Sequence, residues 1–123
     1  MMNINNVAIA EAYYKAMGEK DLESIGKYLH PDVQFIGPLA KKSGKEDVLE
    51  AAKNFCVLFK TVTIRAKLGE GNVVMLVNDL EFPDPVGMFP TAVLMKFQEG
   101  LIERIELFYD PRPLLEHKDK IFS

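Results

Sequence analysis

The densest hydrophobic pattern in the chain lies between Val73 and Phe82, where apolar and β-branched residues predict a strand. Successive side chains of a strand point to opposite faces of the sheet. One face would carry Val73, Met75, Val77, Asp79 and Glu81, and the other Val74, Leu76, Asn78, Leu80 and Phe82. Because both sets are largely apolar, we expect both faces to be covered.

The second half of the chain repeats the strand pattern. Alternating β-branched residues predict strands over 61–68, 91–98 and 101–109, with turns at 69–72 and 99–100. The segment 83–90 holds three prolines, which remove backbone donors, and is expected to be a loop rather than strand.

The first half has helical spacing instead. It predicts a helix capped by Asn5 or Asn6 that ends at Gly18, a short helix from Asp21 to Leu29, and a third over 44–59. A short strand at 33–36 and a polar, basic turn at 39–43 separate the last two helices. This order predicts an α+β fold, in which three N-terminal helices pack on the concave face of a strongly curved, mainly antiparallel sheet and enclose a pocket.

Composition narrows the class of protein. The 123 residues carry a net charge of −3, which argues against a nucleic-acid partner. The single Cys56 excludes an internal disulfide and a cysteine metal cluster. The two histidines lie far apart in sequence, which argues against a transition-metal site. We therefore expect no metal, and we also expect no cofactor. No apolar run approaches the ~18 residues that span a membrane. We therefore expect one cytoplasmic domain over 1–123, with a core over 7–113 and a loosely held tail over 114–123.

Several short segments, in this order and spacing, resemble the nuclear transport factor two-like superfamily. They are a first helix containing Tyr13 and leading to 19–22, His30-Pro31-Asp32-Val33, Ser43-Gly44-Lys45, and 100–105 leading to Phe108-Tyr109-Asp110-Pro111. That superfamily includes SnoaL-like polyketide cyclases and ketosteroid isomerases and has a cystatin-like half-barrel with an interior pocket. The resemblance covers about 7–113 and implies the fold more strongly than an activity.

The resemblance does not predict isomerase activity itself. Tyr13 is similar to the tyrosine of the isomerase branch. The position of its aspartate base falls near Gly37, and the position of its protonated acid near Val93. Neither residue can exchange a proton.

Two carboxylates are the leading chemical candidates. Asp79 and Glu81 share one strand face, which by the resemblance is the concave one. In an apolar pocket, two such neighbours would titrate at different pH values and could act as acid and base. With Tyr13 fixing a carbonyl, Asp79 is the candidate catalytic residue. The alternative is that both acids lie in solvent at the end of the strand, and that Tyr13 is a core residue.

Further residues are expected to line the pocket, although core packing explains most of them equally well, and Asp110 also suits a turn before Pro111. The candidate ligand-binding residues are Phe35, Phe55, Val77, Glu81, Val93, Met95, Ile105, Tyr109 and Asp110.

The predicted function is binding of an apolar small molecule, with proton transfer, cyclisation or dehydration as its chemistry. A non-catalytic ligand-binding domain and a protein-interaction module remain alternatives. We expect a homodimer through an outer sheet face carrying Val74, Leu76, Leu80 and Leu94. The loop 83–90 is expected either to form a rim over the pocket through Met88 or Phe89, or to lie in the dimer contact.

Overall fold

The computed structural model describes residues 5–117, which form three α-helices and six strands. The helices are α1 (Asn6–Glu19), α2 (Leu22–Lys27) and α3 (Lys45–Cys56). The strands are β1 (Leu29–Ile36), β2 (Lys41–Ser43), β3 (Thr61–Glu70), β4 (Val73–Glu81), β5 (Met88–Gln98) and β6 (Leu101–Phe108). A short 3₁₀ helix, Arg112–His117, follows β6, and the predicted tail beyond it lies outside the described residues.

The strands form one curved, open sheet in the order β2-β1-β6-β5-β4-β3. The pairs from β3 to β6 are antiparallel hairpin neighbours, as the alternating pattern predicts. Only β1 and β6 pair in parallel among these strands. With the helices preceding most of the strands, the α+β fold class is confirmed.

Local hydrogen bonds explain where the first helices begin and end. The Asn5 side chain accepts a hydrogen bond from the Ala8 backbone N–H at 3.0 Å and starts α1. The helix passes Gly18 and ends at Glu19, and the next residue, Lys20, caps it in the left-handed conformation with φ of 59°. The Lys20 ammonium donates to the Phe59 carbonyl at 2.7 Å and fixes this corner. Asp21 caps α2 as predicted.

Several element boundaries differ from the sequence predictions, including the end of α3, which lies at Cys56 rather than at 59. α2 ends at Lys27, so His30 and Pro31 lie in β1 rather than stopping a helix. The predicted basic turn contains strand β2. β5 begins at Met88 and includes Pro90. The pairing of β5 with β6 begins only at Ala92, so the N–H that Pro90 lacks is not needed for a hydrogen bond to β6.

The face assignment of β4 predicted from the sequence is wrong. Val74, Leu76 and Leu80 are 0–5% exposed and belong to the core under the helices, on what we call the inner face. Val77 and Asp79 lie on the opposite, outer face. Because both faces are apolar, alternation alone could not decide which one packs on the helices. Val74, Leu76 and Leu80 therefore cannot form an outer contact, whereas Leu94 does lie on the outer face, opposite Met75.

Gly69 allows α1 to lie close against the β3–β4 hairpin. A Cβ atom at Gly69 would overlap the Cγ2 methyl of Val7. The Asn6 amide also donates to the Gly71 carbonyl at 3.1 Å. Together these contacts set how α1 covers one end of the inner face.

Candidate ligand-binding site

An apolar cavity with a water-accessible volume of about 60 Å³ lies between α1, α3 and the inner face of the sheet. Since one water occupies roughly 10–15 Å³ on this measure, the cavity holds about five waters or a small organic ring. Its lining residues are Tyr14, Met17, Phe35, Ala51, Phe55, Asn78, Leu80, Phe89, Thr91, Leu107, Tyr109 and Leu114.

Asn78 is the most unusual residue of this lining. It lies on the inner face of β4, paired across the sheet with Thr91, and is 1% exposed. Neither its Oδ1 nor its Nδ2 has a hydrogen-bond partner among the described residues. Burying an amide without partners costs on the order of 2–7 kcal/mol, and native structures rarely leave both atoms unpaired. The side chain thus offers one donor group and one acceptor to whatever occupies the cavity.

Tyr109 supplies a second polar group. Its hydroxyl is buried and also lacks a partner within the described chain. Burial raises the pKa of Tyr109 to about 12, so the phenol is protonated and can donate a hydrogen bond at neutral pH. Its ring packs edge-on against Phe89 at 5.2 Å between centroids, which fixes its orientation.

Aromatic side chains and the C-terminal segment enclose the cavity. Phe55, Phe82 and Phe89 form a chain of ring contacts with centroids 5.5–5.8 Å apart. Leu114, from the 3₁₀ helix after β6, is 2% exposed and contributes to the lining. Arg112 in the same segment binds the Asp110 carboxylate at 2.6 Å.

The structure brings some of the predicted pocket residues together. Phe35, Phe55 and Tyr109 line the cavity. Val93, Met95 and Ile105 are buried on the inner side but belong to the packed core rather than to the lining. Tyr13 is also a core residue: it packs edge-on against Tyr14 at 5.1 Å, and burial followed by the neighbouring Cys56 raises its pKa.

The predicted acid–base pair lies elsewhere. Asp79 forms an ion pair with Arg65 at 3.2 Å on the outer face, where Val77 also lies. Glu81 accepts a hydrogen bond from Thr61 at 3.3 Å. The predicted place of Asp79 and Glu81 in the pocket is therefore wrong, because β4 turns the opposite face toward the helices.

Asp110 is exposed and serves as a turn residue. Its carboxylate accepts hydrogen bonds from the Arg112 side chain and backbone N–H. These hydrogen bonds lower the pKa of Asp110 to about 2. Its predicted place in the pocket is wrong, and the alternative of a turn before Pro111 describes it better.

Asn78, Tyr14 and Leu114 line the cavity although the sequence pattern does not predict them there. A signal for Asn78 was present, because it is the lone polar residue among Val74, Leu76, Leu80 and Phe82 on one strand face. No comparable signal marks Leu114, since it reaches the cavity through the path of the chain after β6.

The electrostatic character of the lining is neutral. Apart from two tyrosines, the lining residues of the described structure do not titrate, and burial raises the pKa of Tyr14 as well as that of Tyr109. Within residues 5–117 there is also no cluster of three or more metal-ligating side chains.

No helix in this part of the chain is long and apolar enough to cross a membrane.

The sequence profile of the SnoaL-like domain matches residues 10–105. The chain belongs to the SnoaL-like family. The family match confirms the predicted resemblance to SnoaL-like proteins. Solved structures of similar fold include an NTF2-like protein of unknown function from Cytophaga hutchinsonii. That structure superposes on the SnoaL-like chain with a TM-score of 0.80 and 21% identity, covering 92% of this chain and 96% of the other.

Two further solved structures have a similar fold. A de novo designed protein with a curved β-sheet has a TM-score of 0.84 at 23% identity, covering 98% of this chain and 97% of its own. TerC, co-crystallized with polyporic acid, has a TM-score of 0.76 at 19% identity, and the match covers 93% of this chain and 98% of TerC. Such identities show the fold alone, and no curated protein sequence matches the chain significantly.

Proposed function

We propose that this SnoaL-like domain binds a small, neutral, mainly apolar molecule in the cavity between the helices and the inner sheet face. The observation that carries the proposal is the pair of buried, unpartnered polar groups, Asn78 and Tyr109, in an otherwise apolar lining. Ligand sites typically combine apolar walls with a few such groups that orient the ligand.

The charge of the lining supports a neutral ligand. Burying an ion without an opposite charge is strongly unfavourable, and the described lining contains no cation or carboxylate. The size of the cavity supports a molecule of about one small ring, or one part of a larger ligand whose entry displaces a lining side chain.

A catalytic role in cyclisation or dehydration is the second candidate. Tyr109 favours it, because a protonated, unpartnered phenol could polarise a substrate carbonyl. Proton abstraction also needs a base, and none of the described lining side chains is one at neutral pH. Binding is therefore the function that the geometry supports best.

The proposal can be tested by titrating the protein with cyclopentanone while recording amide NMR spectra. We expect saturable shifts centred on lining residues such as Leu80, Phe89 and Leu107. Ala51→Leu should weaken binding at least about fivefold, because Ala51 lines the cavity and the larger side chain fills it. The same change at exposed Ala8 is the matched control. Shifts confined to the surface, or equal binding by both variants, would contradict the proposal.

The affinity should not depend on pH across the neutral range. The raised pKa of Tyr109, about 12, means that the phenol stays protonated as pH rises from about 5 to about 9, where an ordinary tyrosine is also neutral. The described lining contains no carboxylate, cation or histidine that would change its charge between these pH values. The dissociation constant for cyclopentanone should therefore change less than about twofold. A steep loss of affinity toward either end would show that a charged group takes part.

A further inference from the structure

Asn78 carries information about the ligand beyond its size and neutrality. Its carboxamide presents an acceptor, Oδ1, and a donor, Nδ2, side by side in one plane. Both are unpartnered among the described residues, and the side chain is buried within the lining. The partner that satisfies both atoms at once is a group that presents a donor beside an acceptor on one edge.

We propose that Asn78 selects ligands bearing a carbonyl and an adjacent N–H or O–H on the same edge, as in a cyclic amide or a hydroxy-carbonyl unit, which pair with its amide through two hydrogen bonds. This inference rests on the proposed function, since it names the class of ligand for the same cavity. Tyr109 adds a single hydroxyl and therefore contributes orientation rather than this paired recognition.

Asn78 should discriminate between ligands with and without a hydrogen-bond donor beside their carbonyl. A ligand that supplies only an acceptor leaves Oδ1 of Asn78 unpaired in a buried site, and an unsatisfied buried polar atom is strongly unfavourable. Sites built to hydrogen-bond a ligand group therefore reject analogues that lack it by large factors. An apolar cavity without Asn78 would show the opposite preference, because the ligand N–H would lose its hydration without compensation.

A matched pair of probes isolates this effect. 2-Pyrrolidinone and cyclopentanone share ring size and carbonyl, and differ in an N–H group that replaces a methylene. We expect the wild-type protein to bind 2-pyrrolidinone at least about tenfold more tightly, despite its better hydration in water. N-methyl-2-pyrrolidinone, which keeps the amide but loses the donor, should lose that advantage.

Variants assign the preference to Asn78. Asn78→Leu should reverse the order, so that cyclopentanone binds more tightly than 2-pyrrolidinone. The same substitution at exposed Asn72, in the β3–β4 turn, is the matched control and should retain the wild-type order. In the wild type, the side-chain NH₂ signals of Asn78 should shift on adding 2-pyrrolidinone, which gives a readout that does not depend on any variant folding.

The possible results separate the two proposals. Equal binding of both probes, or a preference for 2-pyrrolidinone that persists in Asn78→Leu, would overturn the role of Asn78 while leaving the cavity as a binding site. Stationary NH₂ signals at saturation would overturn it as well. Binding of neither probe would contradict the proposed function itself and this inference with it.

Discussion

Asn78 occupies a position where stability alone would favour an apolar side chain. Val74, Leu76 and Leu80 on the same strand face are buried in the core, and only Asn78 introduces an amide without partners among the described residues. Residues that serve binding often lower stability in this way, because the group is satisfied only when the ligand is present. Stability and recognition should therefore respond in opposite directions to substitution at this position.

Asn78→Leu should raise the free energy of unfolding by about 1–3 kcal/mol, since it removes two unsatisfied polar atoms and adds apolar contact. Urea unfolding of the ligand-free protein measures this change. Asn72→Leu, at an exposed site, should stay within about 0.5 kcal/mol of wild type. A destabilised Asn78→Leu protein would indicate that the amide has a stabilising partner inside the folded chain.

Gly69 imposes a steric condition on α1. Gly69→Ala should lower the free energy of unfolding by about 1–3 kcal/mol, because the new Cβ would overlap Val7. Val7→Ala should relieve part of that loss, so the double variant should be more stable than the sum of the single changes predicts. Strict additivity in urea unfolding would show that the Val7 contact does not limit this position.

At the scale of elements, the sequence predicts types better than faces. The helices α1 and α3 and the strands β3, β5 and β6 follow from periodicity, because each has an apolar stripe or alternates. The strand β4 follows instead from its density of apolar and β-branched residues. The sequence predicts a turn in place of the short strand β2, because Lys41, Lys42 and Ser43 are neither β-branched nor apolar.

The face of β4 shows why the candidate site could not be read from the chain. Met75 and Val77 make the outer face as apolar as the inner one, so the pattern alone leaves the register open. Which face meets the helices depends on tertiary packing. With the face inverted, the pattern favours Asp79 over Asn78. It nevertheless predicts the lining residues Phe35, Phe55 and Tyr109 on other elements correctly.

At the start of β5, Met88 and Phe89 lie in different places, although the sequence predicts either of them as the rim of the pocket. Phe89 lines the cavity, whereas Met88 is 63% exposed and lies across from Glu81 on the outer side. We expect Phe89→Leu to change the affinity for cyclopentanone at least about threefold, because it removes aromatic contact from the wall. Met88→Ala should leave that affinity unchanged. The reverse pattern in calorimetric titration would show that Met88, not Phe89, forms the rim.

The 3₁₀ helix after β6 limits the size of the cavity through Leu114. Leu114→Ala should admit larger probes, so cyclohexanone should bind more tightly to the variant than to wild type, by about threefold or more. Leu115→Ala is the matched control, because Leu115 is exposed in the same helix. No gain for Leu114→Ala in NMR titrations would mean that another wall sets the limit.

Among the described residues, the outer sheet face carries most of the large exposed apolar side chains. Leu68, Met75 and Phe108 are 44–76% exposed on it, next to the partly buried Leu94. A patch of this kind on a sheet favours association, and we propose a symmetric homodimer through it.

Sedimentation should show a dimer at micromolar concentration, and Met75→Glu should convert it to a monomer, because the charge would be buried in the contact. Val57→Glu provides the control: Val57 is 78% exposed but follows α3, away from the sheet. A monomeric wild type, or dissociation of both variants alike, would contradict this arrangement.

The parallel pairing of β1 with β6 also sets the order of events when the chain is made. Gln34 pairs with Arg104, 70 positions later, so the first strand has no sheet neighbour on that side until the residues of β6 have been synthesised. At roughly 5–20 residues per second, the interval lasts several seconds. During it, the edges of β1 and β5 that β6 later joins stay unpaired, while the hairpins β3–β4 and β4–β5 close locally and quickly. Nascent chains ending before β6 are thus the form of this protein most in need of a chaperone.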